Sequence, residues 1–207
     1  MSRDGAAVNL PYSALVLLFG DLFVGLGGDW ELPWRGAHVE GRALARAALS
    51  AALVSMARAH HIYLSTALRK GLLRETEAVL VEKGPKTPSG SQEGLEGLLW
   101  AKLSSAEAFW ADDLIREVAG GGVPYPDFVI LAKIMDYLTD RGYFTRKRLG
   151  GLDLRVGGLA LSKPGYELEP VIPLICAAEG PAQEARAYLG SFAARNPLLW
   201  EKLQKLI

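Results

Sequence analysis

Residues 127–142, DFVILAKIMDYLTDRG, decide the fold that the sequence predicts. Apolar side chains recur in this stretch at spacings of three and four, which is typical of one buried helix face. They are Phe128, Leu131, Met135 and Leu138. The Asp127 carboxylate can accept hydrogen bonds from first-turn N–H groups, and Gly142 can adopt the left-handed conformation that ends a helix. The stretch therefore predicts an amphipathic helix with defined ends.

The segment after this helix predicts a basic β-hairpin. Residues 143–145 are aromatic or β-branched, which favours a strand, and 159–161 form a second extended run after a glycine pair. Six basic residues stand here against a single acid, Asp153, which gives a local charge of +5. They are Arg141, Arg146, Lys147, Arg148, Arg155 and Lys163. Such a charge raises the local concentration of polyanions.

The rest of the chain predicts helices with small hairpins. An alanine-rich helix over 42–60 leads to short strands at 62–64 and 78–81, joined by a charged turn, so a helix precedes a hairpin twice. Residues 29–41 predict a loop and 105–118 a helix. We therefore predict a mainly α fold with small β-hairpins (α+β). It would be a single compact helical domain over 10–207 with winged-helix-like helix–hairpin units, after a flexible tail at 1–9.

Composition excludes several classes of protein. Half of the 207 residues are apolar and the formal net charge is zero, so the chain is neither disordered in composition nor globally basic. The one cysteine, Cys176, lies in an apolar run and predicts a buried thiol in a reducing compartment. The apolar stretch 10–26 contains Asp21, which favours a central core helix over a membrane span. We expect a cytoplasmic protein, with peripheral membrane contact.

Catalytic and metal-binding motifs are absent from the sequence. His60 and His61 are adjacent and so point in different directions, and the sequence holds no HExxH motif or Cys/His cluster. The glycine-rich segments lack the lysine and hydroxyl residue of a phosphate-binding P-loop. Asp112 and Asp113 are typical of a solvated helix surface. We expect a protein that is not an enzyme and that uses no cofactor and no metal.

The order of these features resembles the Golgi phosphoprotein 3 family and its bacterial relatives. The resemblance covers roughly residues 10–165. It is carried by 48–64, 69–81, Pro88-Ser89-Gly90 with Leu95, Leu98 and Leu99, and the 137–144 turn with Leu138, Arg141, Gly142 and Tyr143. It implies a mostly helical domain with a hydrophobic β-hairpin. It also implies a cytosolic peripheral membrane protein that binds phosphatidylinositol 4-phosphate.

The family's lipid pocket, as the resemblance implies it, uses a Trp and an Arg near the start of the second helix. Trp34 and either Arg42 or Arg46 lie nearest to that pattern. The family adds two arginines three apart on the helix before the glycine turn. In this sequence Phe128 and Leu131 stand at those positions.

Two functions from different classes follow from the sequence. The first is a membrane-binding protein that docks on anionic, phosphoinositide-like lipid, with Trp30 or Trp34 at the interface. Its predicted lipid-binding residues are Trp34, Arg42, Arg46, Arg146, Lys147 and Arg148. The alternative is a winged-helix regulator that binds DNA, with the three hairpin cations in contact with phosphates. Helix 127–141 has more acidic than basic residues, which disfavours it as the helix that reads DNA. A third hypothesis is an interaction module or homo-oligomer that pairs through apolar helices.

Overall fold

The first helix, α1 (Tyr12–Leu18), forms the centre of the molecule. Six of its seven residues are at most 2% exposed. A helix that is apolar on every side must be covered on every side, which agrees with the expected central helix. The computed structural model describes residues 9–71, 74–88, 93–148, 155–156, 159–160 and 166–207. At 148, 155–156, 159–160 and 166 it describes the backbone.

The described part of the chain confirms the α+β fold class. After α1 its helices are α2 (Gly20–Phe23), α3 (Gly41–Arg58), α4 (Gly94–Leu103), α5 (Ala111–Ala119), α6 (Pro126–Asp140), α7 (Ile172–Ala177), α8 (Glu179–Arg195) and α9 (Pro197–Leu203). Its strands are β1 (Leu26–Leu32), β2 (Ala37–Val39), β3 (Ile62–Lys70), β4 (Glu75–Lys83), β5 (Ala108–Trp110), β6 (Phe144–Arg148), β7 (Arg155–Val156), β8 (Leu159–Ala160) and β9 (Tyr166–Pro170). They form the antiparallel sheets β1–β2, β3–β4–β5, β6–β9 and β7–β8.

Helices α3, α4, α6 and α8 pack around α1 and share one hydrophobic core with it. Five alanines of α3 are buried in this core, where small side chains let helix backbones approach closely. They are Ala45, Ala47, Ala48, Ala51 and Ala52, all buried. Within the described residues, no helix combines the length and the apolar character needed to cross a membrane.

A buried carboxylate lies where α1 meets α3 and α4. Glu96 is 5% exposed. Its Oε1 accepts the Ser13 N–H at 3.1 Å, and the Ser13 hydroxyl donates to its Oε2 at 2.5 Å. The Ser55 hydroxyl lies 3.4 Å from Oε1. Burial raises the pKa of Glu96, and the serine hydrogen bonds partly oppose that rise.

The first helix–hairpin unit has longer strands than the sequence predicts. β3 and β4 pair continuously from Ile62 opposite Lys83 to Lys70 opposite Glu75. The charged span that predicted a turn is therefore mostly strand. Arg69 links this hairpin to α5, because its guanidinium contacts Asp112 and Asp113 at 2.9 Å each. Part of the expected helix 105–118 is strand β5, which pairs with β4.

The second hairpin has a different return strand from the predicted one. β6 pairs with β9, so that Lys147 lies opposite Glu167. Residues 159–160 pair instead with 155–156. Acids in β9 complement the cations of β6, and opposite charges across neighbouring strands stabilise that pairing. The return strand at 159–161 was therefore a wrong prediction.

Helix α6 buries two of the four residues that the spacing predicted, Leu131 and Leu138, and its buried face is shifted away from Phe128. Its buried apolar residues are Ile130, Leu131, Ile134 and Leu138. Successive residues lie about 100° apart around a helix, so Phe128 lies to one side of that stripe and is 51% exposed. The N-cap is Tyr125 rather than Asp127. Gly142 has φ +80°, which confirms the predicted helix end.

Two further local predictions were wrong. The expected loop 29–41 is mostly the β1–β2 hairpin, in which Leu32 pairs with Ala37. Cys176 is exposed rather than buried, because α7 turns Ile175 to the core instead. Both differences arise from contacts that a local apolar pattern does not specify.

We expect Glu96→Gln to raise the free energy of unfolding at neutral pH, and the gain to shrink as the pH falls. The raised pKa means that the folded chain binds this proton more tightly than the unfolded chain, whose pKa is near 4.5. Proton binding at Glu96 therefore stabilises the folded chain. This contribution to the free energy of unfolding is fully present below the unfolded pKa and is lost as the pH rises through the folded pKa. An amide stays neutral, its oxygen can accept the Ser13 N–H, and its NH2 group can donate to the Ser13 hydroxyl. Urea unfolding at a series of pH values measures the difference.

The matched control is Glu107→Gln, because the Glu107 side chain is 92% exposed. It should change the unfolding free energy by less than about 0.5 kcal/mol. If the free energy of unfolding depended on pH equally in the wild type and in Glu96→Gln, the prediction that the buried Glu96 carboxyl titrates on unfolding would be wrong.

Candidate functional site

Trp34, the first predicted lipid-binding residue, packs into the fold. It lies in the turn between β1 and β2 and is half-buried. Its indole N–H donates to the Leu18 carbonyl at 2.7 Å, and its ring meets Phe144 edge-on at 4.9 Å. A side chain with these contacts holds the turn against α1 and β6. The structure therefore gives Trp34 a packing role, where the sequence predicted an exposed interfacial ring.

Arg42 and Arg46 lie one turn apart on α3 but have different partners. The Arg46 guanidinium donates to the main-chain oxygen of Ile207 at 2.9 Å. Its Nε is buried and has no partner among the described residues. Arg42 is 56% exposed, and its Nε lies 3.7 Å from the Asp127 carboxylate of α6. Of the two, Arg42 is the one presented to solvent.

The hairpin cations are exposed but face acids. Arg146 lies 3.4 Å from Asp136 of α6, and Lys147 lies 2.6 Å from Glu169 of β9. The hydrogen bond that Lys147 donates to Glu169 raises the pKa of Lys147. Arg148 ends β6, and for it the structure describes the backbone alone. Lys163 lies outside the described residues. These pairings lower the net charge that the hairpin offers to an anion.

An aromatic patch lies beside Arg42. We define it as the partly buried Trp30 with the exposed Tyr125 and Phe128. Phe128 is 51% and Tyr125 62% exposed. Their rings meet edge-to-face at 6.3 Å, and Trp30 lies 6.2 Å from Phe128 on the other side. Exposed apolar side chains that cluster mark interaction sites more often than scattered ones do.

The aromatic patch borders a cavity of about 250 Å³ between the first turns of α3 and α6. Its walls are Asp29, Glu40, Gly41, Arg42, Tyr125, Asp127, Phe128 and Leu131. Asp29 accepts the Gly41 N–H at 3.0 Å, and this hydrogen bond lowers the Asp29 pKa. The Trp30 ring lies against Gly41, since a Cβ built there would be 3.6 Å from it. The helix start, the aromatic patch and the carboxylates thus form one site.

Asp127 is the least solvated charge of this cavity. Its side chain is 9% exposed. Within the described residues its ionic partner is Arg42 at 3.7 Å, a separation longer than a hydrogen bond. The Asp127 carboxylate can therefore pair with a further donor or cation that enters the cavity.

A second cavity, of about 690 Å³, has a lining in which several polar groups are paired with one another or with neighbouring side chains. It includes Tyr12, Glu93, Glu96 and Arg141. Glu93 accepts the Tyr137 hydroxyl at 3.0 Å and is ion-paired with Arg141. The Arg58 guanidinium donates to the Tyr12 hydroxyl. Because these groups satisfy one another, we place the candidate site at the smaller cavity.

Sequence reasoning missed most of this site. Tyr125 was not considered, and Phe128 was assigned to the buried face. A usable signal existed: Ile130 and Ile134 complete a stripe with Leu131 and Leu138, which leaves Phe128 off it. Asp29 and Glu40 belong to no recognisable sequence motif. They line the same cavity because the β1–β2 hairpin brings them close together.

Comparisons with protein families, curated proteins and solved structures find no match for this chain. The resemblance to the Golgi phosphoprotein 3 family therefore stays a prediction. Within the described ranges, no group of three or more His, Cys, Asp or Glu side chains could hold a metal ion.

We expect Trp34→Ala to lower the free energy of unfolding by about 3 kcal/mol, because it removes a packed ring and the hydrogen bond to Leu18. Tyr125→Ala removes an exposed ring and should cost less than about 1 kcal/mol. Urea denaturation of both variants measures the contrast. Similar small losses in both would mean that Trp34 is not a packing residue.

Proposed function

We propose that this protein attaches to lipid bilayers as a peripheral membrane protein, with the aromatic patch in contact with the membrane interface. One observation carries the proposal. Phe128 and Tyr125 present half-exposed rings next to Arg42, at the facing starts of two long helices. The rigid helices hold this surface in place.

The chemistry of the patch suits a bilayer interface. Aromatic rings with an apolar body and a polar edge are favoured at the level of the lipid head groups. Arg42 can keep its charge in the head-group layer while its stem contacts apolar surface. Transfer of the Phe128 ring from water into the interface is favourable by the hydrophobic effect.

The basic hairpin has a secondary role in this proposal. Arg146 and Lys147 can still add attraction to anionic lipid, but each faces a carboxylate that offsets its charge. The same pairing weakens the DNA-binding alternative, since phosphate contacts need cations that can leave their partners. We therefore place the aromatic patch first and the hairpin second.

We expect Tyr125→Ala combined with Phe128→Ala to reduce vesicle binding about tenfold, because two half-exposed rings leave the interface. Sedimentation with phosphatidylcholine vesicles, with and without added phosphatidylglycerol, measures the bound fraction. The matched control is Tyr63→Ala combined with Leu198→Ala. It removes two apolar side chains that are 53% and 72% exposed and that do not line this cavity. Equal losses in both double variants, or no vesicle binding by the wild type, would contradict the proposal.

A charge variant separates this proposal from the one that the sequence suggested. We expect Arg146→Ala combined with Lys147→Ala to weaken binding to phosphatidylglycerol-containing vesicles only about twofold. An unpaired cation at an anionic surface is worth about 1 kcal/mol, and both of these are paired. A loss as large as that of the aromatic double variant would make the hairpin the main membrane contact.

A further inference from the structure

The charge of the cavity beside the aromatic patch does not suit an anion alone. Three carboxylates, Asp29, Glu40 and Asp127, face it against one cation, Arg42. The hydrogen bond from Gly41 lowers the pKa of Asp29 and so keeps that carboxylate charged. Asp29 also occupies the Gly41 N–H at the start of α3. Free N–H groups at this position are the ones with which a helix binds phosphate. The cavity therefore favours a positively charged group at its acidic side.

The aromatic walls narrow the class of cation. Tyr125 and Phe128 both line the cavity with rings that are largely exposed. Aromatic faces attract organic cations, and quaternary ammonium groups are bound in this way beside carboxylates. An inorganic divalent ion is disfavoured, since three of the eight lining residues have aromatic or aliphatic side chains and the carboxylates come from separate elements.

Arg42 supplies the complement to such a cation. Its side chain is 56% exposed and lies only 3.7 Å from Asp127. A phosphate held by Arg42 would thus be adjacent to an ammonium held by Asp127. The cavity of about 250 Å³ suits a small head group rather than a drug-sized ligand. Together these groups match a zwitterion.

We propose that this cavity binds a phosphocholine group, with the trimethylammonium against Tyr125, Phe128 and Asp127 and the phosphate on Arg42. The inference rests on the proposed membrane attachment, and it names the head group of that same site. Glu40 contributes at the rim by its charge. The acidic majority of the lining disfavours head groups that carry only negative charge.

Three soluble probes test the site without a membrane. Phosphocholine, tetramethylammonium and inorganic phosphate are titrated into the full chain, and amide shifts are followed by NMR. We expect saturable shifts at residues 29–30, 40–42 and 125–128 with phosphocholine, weaker ones with tetramethylammonium, and none with phosphate. Binding of phosphate as tight as that of phosphocholine would overturn the proposal, as would shifts spread evenly over the surface.

Two matched pairs of variants locate the binding. Glu40→Gln should weaken phosphocholine binding about threefold and Glu31→Gln should not, because Glu40 lines the cavity and Glu31 is exposed outside it. Tyr125→Ala should weaken it about tenfold, whereas Tyr63→Ala, with a similarly exposed ring on β3, should not. If the two variants of either pair weakened phosphocholine binding equally, the proposed site would be wrong.

Vesicles separate this inference from the proposed function. Phosphatidylcholine vesicles should bind several-fold more tightly than pure phosphatidylglycerol vesicles, and phosphocholine should compete. Saturable phosphocholine binding with no vesicle binding would refute membrane attachment and leave a site for soluble phosphocholine. Vesicle binding that is equal for both lipids and unaffected by phosphocholine would refute the head-group site and leave membrane attachment standing.

Discussion

Complete burial of α1 is the constraint on which the rest of the structure depends. A helix of seven residues with apolar side chains on all sides gains stability only if other elements enclose it. Helices α3, α4, α6 and α8 do so, and the alanines of α3 allow the close approach. The hydroxyl of Ser13 then needs a buried partner, which Glu96 supplies. Enclosing α1 also places the starts of α3 and α6 near each other, where Arg42 reaches Asp127.

This arrangement decides which charged side chains remain available to a ligand. Most basic residues that the sequence offers as anion contacts lie near acids or carbonyls from other elements: Arg46 at Ile207, Arg146 at Asp136 and Lys147 at Glu169. A cation with such a partner must lose it before binding phosphate, which reduces the net gain. Arg42 also has an acidic neighbour, Asp127, but at the longer separation of 3.7 Å. The aromatic patch is therefore the surface that is best suited to a ligand. The cavity beside it is lined by more acidic than basic residues.

The candidate site is rigid because it lies at helix starts rather than on a loop. Gly41 opens α3 with its N–H bound to Asp29, and Pro126 opens α6 with Asp127 and Phe128 in the first turn. The Trp30 ring packs on Gly41 and next to Phe128, so it links the β1–β2 hairpin to both helices. Preorganisation of this kind reduces the entropy that a small ligand loses on binding.

The sequence by itself determined the helices at 42–60 and 127–141, the fold class, the helix end at Gly142 and the central place of the first helix. These follow from apolar spacing and from backbone preferences, which are local properties. Only the tertiary structure decided that Trp34 packs inward, that Phe128 faces outward, that β6 pairs with β9, and that Asp29, Glu40 and Asp127 line one cavity. Each of these depends on segments far apart in the chain meeting around α1, and local patterns do not encode which side chains meet there.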